Sequence, residues 1–418
     1  MIKGTQAGSN GPRLQRSSGD VTPLAKYRSS TPLPLGGVIS RLACGMSAVA
    51  FLLGGASGAL AGETTSPQNL AGITERLDVE CREGRFSGVV IIRVQDREVL
   101  EHVCGQADII NDLAVERDTR FKIYSTSKFI TALTIMKLVE LGQMDLDVPI
   151  TGYVSDAPRV WGGVTIRMLL NHTSGFPDHT LKLLYNFRSD HSSAMRLTLS
   201  SLDEEEASLD NPPGSTLSYN NFGFELLADA AAQVAGRPFG DLVAAYVFQP
   251  AGMASASVEA PSLEAGHAVP VSSPGLALGY NGEPGALQQA LNWAFVQLGA
   301  GAVHASADDF IALDQALKDG RILDPALLDE MTASLIQPPW DSPYFFGLGV
   351  LVQSIDGVRM SGHTGGVNGY ISSFQRLPDH DAMFVVLSNR GFARTAWLND
   401  AVADLFSDSP RTNDHASP

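Results

Sequence analysis

Ser125 and Lys128 stand three residues apart in the stretch Phe121-Lys-Ile-Tyr-Ser125-Thr-Ser-Lys128. A serine hydroxyl is a useful nucleophile only beside a group that takes its proton, and a lysine withdrawn from water can take one. On a helix, a spacing of three puts both on one face. Two later motifs add to this pair. Tyr219-Asn-Asn221 offers a second proton carrier, because phenols beside cations ionise more readily. Its Asn221 can hold Lys128 or a substrate carbonyl. His363-Thr364-Gly365-Gly366 lies on a strand-like run, where glycines let backbone approach a substrate and a strand edge can pair with an extended ligand. Each motif alone has a plainer reading: a helix start with a solvated lysine, a buried aromatic, and a turn.

The elements that must position these residues are legible from periodicity. Lys128 to Leu141 reads as one helix, apolar nearly all round, with Lys137 and Glu140 its only later charges and Gly142 its stop. Such a helix is buried. Ser125 is expected in its first turn, where the helix amino terminus favours negative charge. Residues 68–83 read as an amphipathic helix, followed by a hairpin of strands from Ser87 and from Glu98 to Cys104 around Gln95-Asp-Arg97. To about residue 300 the pattern is helical and irregular. Ile166–Leu170 is a short helix stopped by Asn171-His-Thr-Ser-Gly175, a longer one follows Asn221, and another lies near 239–248. Residues 254–290 are rich in Gly, Pro, Ser and Ala and receive no elements. Strands return at Phe345–Ser354, at Val358–Gly366, and at Tyr370–Leu377 paired with Ala382–Ser388, before a closing helix from Trp397 to Phe406. This order predicts an α/β part at about 68–120 and 300–406, a helical insert at about 121–299, and a site in the cleft between them.

Of 418 residues, 44% are hydrophobic and 18% charged, an ordinary globular composition. Beyond residue 61, 23 basic groups face 44 acidic ones, a charge of −21 against −16 for the whole chain. That argues against nucleic-acid or anionic-membrane binding by the body of the protein and reads as solubility. Residues 1–37 read as disordered from their Gly, Ser, Pro and Thr content. Arg41, the uncharged run Leu42–Gly62 and the small-x-small Ala59-Leu-Ala61 form a signal peptide, so residues 1–61 are read as a leader and 62–418 as the exported, periplasmic or secreted, hydrolase domain. The alternative is an uncleaved anchor; cleavage leaves no stable membrane association. Cys44 makes no lipoprotein box. Export leaves Cys81 and Cys104, which an oxidising compartment could bridge, although two buried thiols are the favoured reading. Two cysteines without a Cys-x-x-Cys neighbour predict no metal site, and nothing calls for a cofactor.

The three motifs together resemble the serine β-lactamase-like superfamily, above all its class C branch. That branch takes in class C β-lactamases, D-alanyl-D-alanine carboxypeptidases, family VIII esterases and D-aminopeptidases. The resemblance covers about residues 70–406. It adds Leu169-Leu-Asn-His-Thr-Ser-Gly175, Pro213-Gly-Ser-Thr-Leu-Ser-Tyr219, Pro250-Ala-Gly-Met253 and Gly301-Ala-Val-His-Ala-Ser-Ala-Asp-Asp309 to the motifs above, in the family's order. It implies an antiparallel sheet flanked by helices with an inserted all-α region. It implies that Ser125 forms an acyl-enzyme, that Lys128 and Tyr219 share general-base work, and that Asn221 orients Lys128 and substrate. Ser125 and Gly366 would supply oxyanion N–H groups, with His363, Thr364, Gly365 and Gly366 binding substrate. His172, Asn171 and Ser174-Gly175 would be structural. One departure bears on substrate: lactamases of this branch usually carry Lys-Thr-Gly where this chain has His363, and histidine is mostly neutral at pH 7. That favours an esterase on small acyl esters over a class C-like lactamase or a D-amino-acid peptidase or carboxypeptidase. A non-catalytic binder of cell-wall peptides or β-lactams is the reading from another class. No Gly-x-Ser-x-Gly elbow is present.

Overall fold

Val89 to Ile92 are apolar without alternation, so a strand through them needs cover on both faces. The computed structural model, which describes residues 67–407 apart from 188–189, 260–262, 265–266, 269–274, 291–296, 334 and 368, provides that cover. The leader and signal peptide read at 1–61 lie outside the described residues. Among the described residues, no helix is long and apolar enough to cross a membrane.

Strands β1 (Gly88–Val94) and β2 (Arg97–Cys104) form the expected hairpin. Gln95 and Asp96 turn it at φ 49° and 59°, the left-handed geometry that matches strand twist in a two-residue loop. Five strands from the carboxyl-terminal part complete the sheet: β3 (Phe345–Phe346), β4 (Leu351–Ile355), β5 (Val358–Val367), β6 (Tyr370–Leu377) and β7 (Ala382–Ser388). The order is β3-β4-β5-β6-β7-β1-β2, antiparallel throughout, so β1 pairs with β7 from the far end of the chain. One strand was expected over Phe345–Ser354. It is broken by the turn Gly347–Val350, where Gly349 at φ 69° approaches Ala132 so closely that a Cβ would lie 2.3 Å from the alanine's.

Helix α1 (Pro67–Arg82) lays Ile73 and Leu77 on one face of the sheet, against Val90, Ile92 and Phe384. The closing helix is seen at Trp397–Ala403 on that same face. Cys81 and Cys104 are joined in a disulfide, which corrects the expectation of two buried thiols. Both are only half-buried. Cys81 ends the helix that packs over β2, so the two Cα atoms come to 6.4 Å, inside disulfide range.

The other face carries Val89, Ile91, Phe374 and Val385 and packs against the helical part. Helix α2 (Ser127–Glu140) runs through this core, buried from Ser127 to Met136. Helix α3 (Asn221–Ala235) lies beside it, capped by Asn220, whose Oδ1 accepts the Gly223 N–H at 2.7 Å. Helix α4 (Ala307–Lys318) was not read from the sequence, although the reciprocal Ser306–Asp309 capping box that opens it is a local signal. Two-residue strands at Phe121–Lys122 and Ser257–Val258 flank Val303–Ala305. This small sheet fixes the residues just before Ser125. Behind it, Glu259 accepts from Lys122 at 2.8 Å and meets His304 Nε2 at 3.1 Å, all three buried.

Candidate active site

Ser125 lies in a tight turn, Tyr124–Thr126, that feeds into α2, rather than in the first turn of α2 itself. Buried Tyr124 opens this turn at φ 44°, a conformation costly for a non-glycine residue, and the turn leads into the helix at Ser127. The turn still serves the spacing read from the sequence. Lys128 Nζ donates to Ser125 Oγ at 3.4 Å.

Lys128 is 0% exposed. Its Nζ also donates to Asn221 Oδ1 at 2.8 Å and to the Ala300 carbonyl at 3.2 Å. Below it lie the rings of Tyr219, 4.9 Å from Nζ to centroid, and Phe224, 5.5 Å. Two of the sequence motifs, Ser125-x-x-Lys128 and Tyr219-x-Asn221, thus meet around one ammonium group. A neutral amine has two N–H bonds and one lone pair. If Asn221 and Ala300 hold the two N–H bonds, the lone pair is left for the Ser125 hydroxyl.

The loop Asn171–Gly175 braces Tyr219 and Asn221. His172 Nδ1 accepts the Asn220 N–H at 3.1 Å, and the His172 ring stacks 4.4 Å from that of Tyr219. The His172 carbonyl accepts the Ser218 N–H at 2.8 Å. Burial and the Lys128 charge push His172 well below the ordinary histidine range. It is a neutral spacer.

Strand β5 closes the site. Its pairing with β4 ends at Gly362, so that among the described residues His363 to Val367 have no strand partner on that side. Gly365 packs against the Ser125 turn: a Cβ there would lie 2.1 Å from the Ile123 carbonyl and 3.0 Å from Ser125 N. Only glycine fits. His363 shares this face by strand alternation. Its ring is 3% exposed, and Nδ1 meets the Thr364 carbonyl at 2.6 Å. Burial first, then Lys128, pushes His363 down to about 3. Thr364 is half-exposed and Gly366 exposed at the open end of β5.

This geometry agrees with comparisons to known proteins. A model of the Beta-lactamase family matches residues 70–405. The chain belongs to the Beta-lactamase family. It is a serine hydrolase with that family's fold. It is 27% identical over 317 residues to a penicillin-binding protein of Bacillus subtilis (strain 168), covering 73% of this chain and 68% of that one. It is 33% identical over 201 residues to Esterase EstB of Burkholderia gladioli, covering 44% of this chain and 51% of the esterase, about half its length. The crystal structure of D-amino acid amidase from Ochrobactrum anthropi SV3 with L-phenylalanine amide superposes with a TM-score of 0.67 at 25% identity, covering 81% of this chain and 97% of that one.

Beyond the family motifs, the structure brings in residues that sequence reasoning missed. Glu225 is 0% exposed on α3. Its carboxylate accepts the Ala300 N–H at 2.8 Å and the Gly299 N–H at 3.2 Å, and meets His191 Nε2 at 2.9 Å. Glu225 thereby holds the Ala300 carbonyl on Lys128. Two acids one turn apart, Glu225 and Asp229, in an otherwise apolar stretch of the helix were the available signal. Ser372 on β6 donates to the Ile123 carbonyl at 2.7 Å and shares a hydrogen bond with Thr126 Oγ1 at 2.8 Å, stitching the Ser125 turn to the sheet. These hydroxyls carried no sequence signal.

Glu225→Gln turns one acceptor into a donor that faces backbone N–H groups. We expect kcat on an ester to fall about tenfold or more with little change in KM, from displacement of the Ala300 carbonyl. A loss of about 1–3 kcal/mol of stability should accompany it. Steady-state kinetics beside thermal melting checks both, and unchanged kcat would remove Glu225 from the positioning of Lys128.

Proposed function

We propose that this serine hydrolase is an exported esterase acting on small, uncharged acyl esters through an acyl-enzyme on Ser125. In this reading Ser125 Oγ attacks the ester carbonyl while Lys128, with Tyr219, takes its proton. Backbone N–H groups of Ser125 and Gly366 hold the oxyanion. Water then releases the acyl group by the same base. The observation that carries the substrate class is His363. A lysine there would offer a fixed cation to the carboxylate of a β-lactam or peptide. The buried imidazole stays neutral down to about pH 3 and turns Nδ1 to its own strand. Similarity to an esterase supports the same class. The Cys81–Cys104 disulfide supports export, since such bridges persist in oxidising compartments.

A panel of p-nitrophenyl esters, nitrocefin and D-alanyl-D-alanine peptides tests this. We expect kcat/KM for the acetate or butyrate ester to exceed that for the carboxylate-bearing substrates by about 10²-fold, the scale of one missing charged contact. The reverse order would favour a lactamase or carboxypeptidase. A second reading, a D-amino-acid amidase, rests on the amidase likeness, and an amino-acid amide likewise lacks a carboxylate. D-phenylalanine amide belongs in the panel for that reason.

Neutral His363 also fixes a pH response. In the unfolded chain it takes a proton near 6.5, but in the fold only near 3. Between these values the unfolded state binds more protons, so stability falls as pH drops from about 6.5 toward 3. His172 acts in the same direction. Urea unfolding across this range should show the loss, and His363→Asn should flatten it. An equal slope in that variant would show that His363 is not responsible.

A further inference from the structure

His102 is 8% exposed, and its Nδ1 has no hydrogen-bond partner among the described residues. Its Nε2 lies 3.0 Å from Asp78 Oδ1. An N–H on Nε2 held by that carboxylate leaves the Nδ1 lone pair free. Cys81, Cys104 and His102 place their ligand atoms within 4.8 Å of one another. The chain builds this cluster from two short pieces. Asp78 and Cys81 are one turn apart on α1, and His102 and Cys104 alternate onto one face of edge strand β2.

We propose that this cluster is a redox-gated site for a thiophilic divalent cation, Zn²⁺ fitting best. Two thiolates, one imidazole and an open fourth position make a tetrahedral zinc set. A histidine whose other nitrogen meets a carboxylate is the usual second contact of such sites. In the oxidised protein the sulfurs are spent on each other. A dithiol or phosphine reductant delivers two electrons and two protons, breaking the S–S bond to give two thiols while the reductant is oxidised. Zn²⁺ then displaces both thiol protons and binds the two sulfurs and His102 Nδ1. The sulfurs need to separate to about 3.8 Å, two Zn–S bonds of about 2.3 Å at a tetrahedral angle. The Cα separation of 6.4 Å is already at the wide end of disulfide geometry, so the backbone needs little movement. Both cysteines are half-buried rather than sealed in the core. Disulfide and metal are alternative staples between α1 and β2.

The test uses the full chain, reduced with a phosphine under anaerobic conditions and titrated with Co²⁺, then Zn²⁺. The expected result is one Co²⁺ per chain with a thiolate-to-cobalt charge-transfer band, displaced by one Zn²⁺, while the oxidised protein takes up none. Cys44→Ser should leave uptake intact, whereas Cys81→Ser, Cys104→Ser and His102→Ala should abolish the band. Asp78→Asn should weaken affinity by about 10- to 100-fold. The His102 and Asp78 variants can be checked for folding in the oxidised state, where the disulfide is kept. No cobalt bound by reduced protein that still melts cooperatively overturns the proposal. So does uptake that survives Cys104→Ser or His102→Ala, or reduced protein that stays unfolded with metal present.

Discussion

Ser125→Ala is expected to lower kcat/KM for p-nitrophenyl butyrate by about 10⁴-fold or more, the scale of losing a covalent nucleophile. Ser125 Oγ is the hydroxyl in reach of Lys128 Nζ, at 3.4 Å. The neighbouring hydroxyls are committed elsewhere. Ser127 Oγ accepts the Val303 N–H at 3.1 Å and is fully buried, and Thr126 Oγ1 bonds Ser372 Oγ at 2.8 Å. Ser127→Ala therefore acts on stability: it leaves one buried N–H unpaired, a loss of about 1–3 kcal/mol, and keeps most of the activity. Kinetics of both variants, with a fluorophosphonate probe and mass spectrometry of the adduct, separates the roles. Equal losses in the two serine variants, or an adduct on another residue, would refute Ser125 as the nucleophile. A stable adduct on Ser125 with no turnover of any ester or amide would favour a binding protein instead.

Lys128→Met should cost about 10²-fold or more in kcat, the scale of general-base catalysis. Methionine keeps most of the stem volume in a core with no exposed room, so packing is largely spared. What is lost is the contact to Ser125 Oγ and the donors to Asn221 Oδ1 and Ala300 O. The unpaired carbonyl oxygens will lower stability as well, and thermal melting sets the temperature at which rates are compared. Tyr219→Phe is the cleaner partner. It keeps the ring 4.4 Å from His172 and 4.9 Å from Lys128 Nζ, and removes only the hydroxyl. A similar loss in kcat is expected. Normal turnover in both variants would eliminate the proposed base.

Much of this was legible in the chain. The reason is that local patterns encode local structure. A serine and a lysine three apart meet because the turn and helix bring them together, and an all-apolar helix is buried wherever it lies. The hairpin from Ser87 to Cys104 and the asparagine that caps α3 obey equally short-range rules, whereas the glycine at 365 is demanded by the distant Ile123 and Ser125 backbone. The turn that holds Ser125 was not legible, because φ 44° at buried Tyr124 is not a preference of tyrosine.

By itself, then, the sequence determined the family, the sheet-and-helix order and the Ser125–Lys128 pair. Only the tertiary structure decided what surrounds that pair. Asn221 and Ala300 reach Lys128 across 93 and 172 residues, and Glu225 reaches Ala300 across 75. No periodicity specifies such contacts, because they depend on how elements pack. Packing likewise turned two cysteines 23 residues apart into a disulfide. It also made His363 a neutral group held near 3, since the desolvation that suppresses its charge is set by burial and not by residue type.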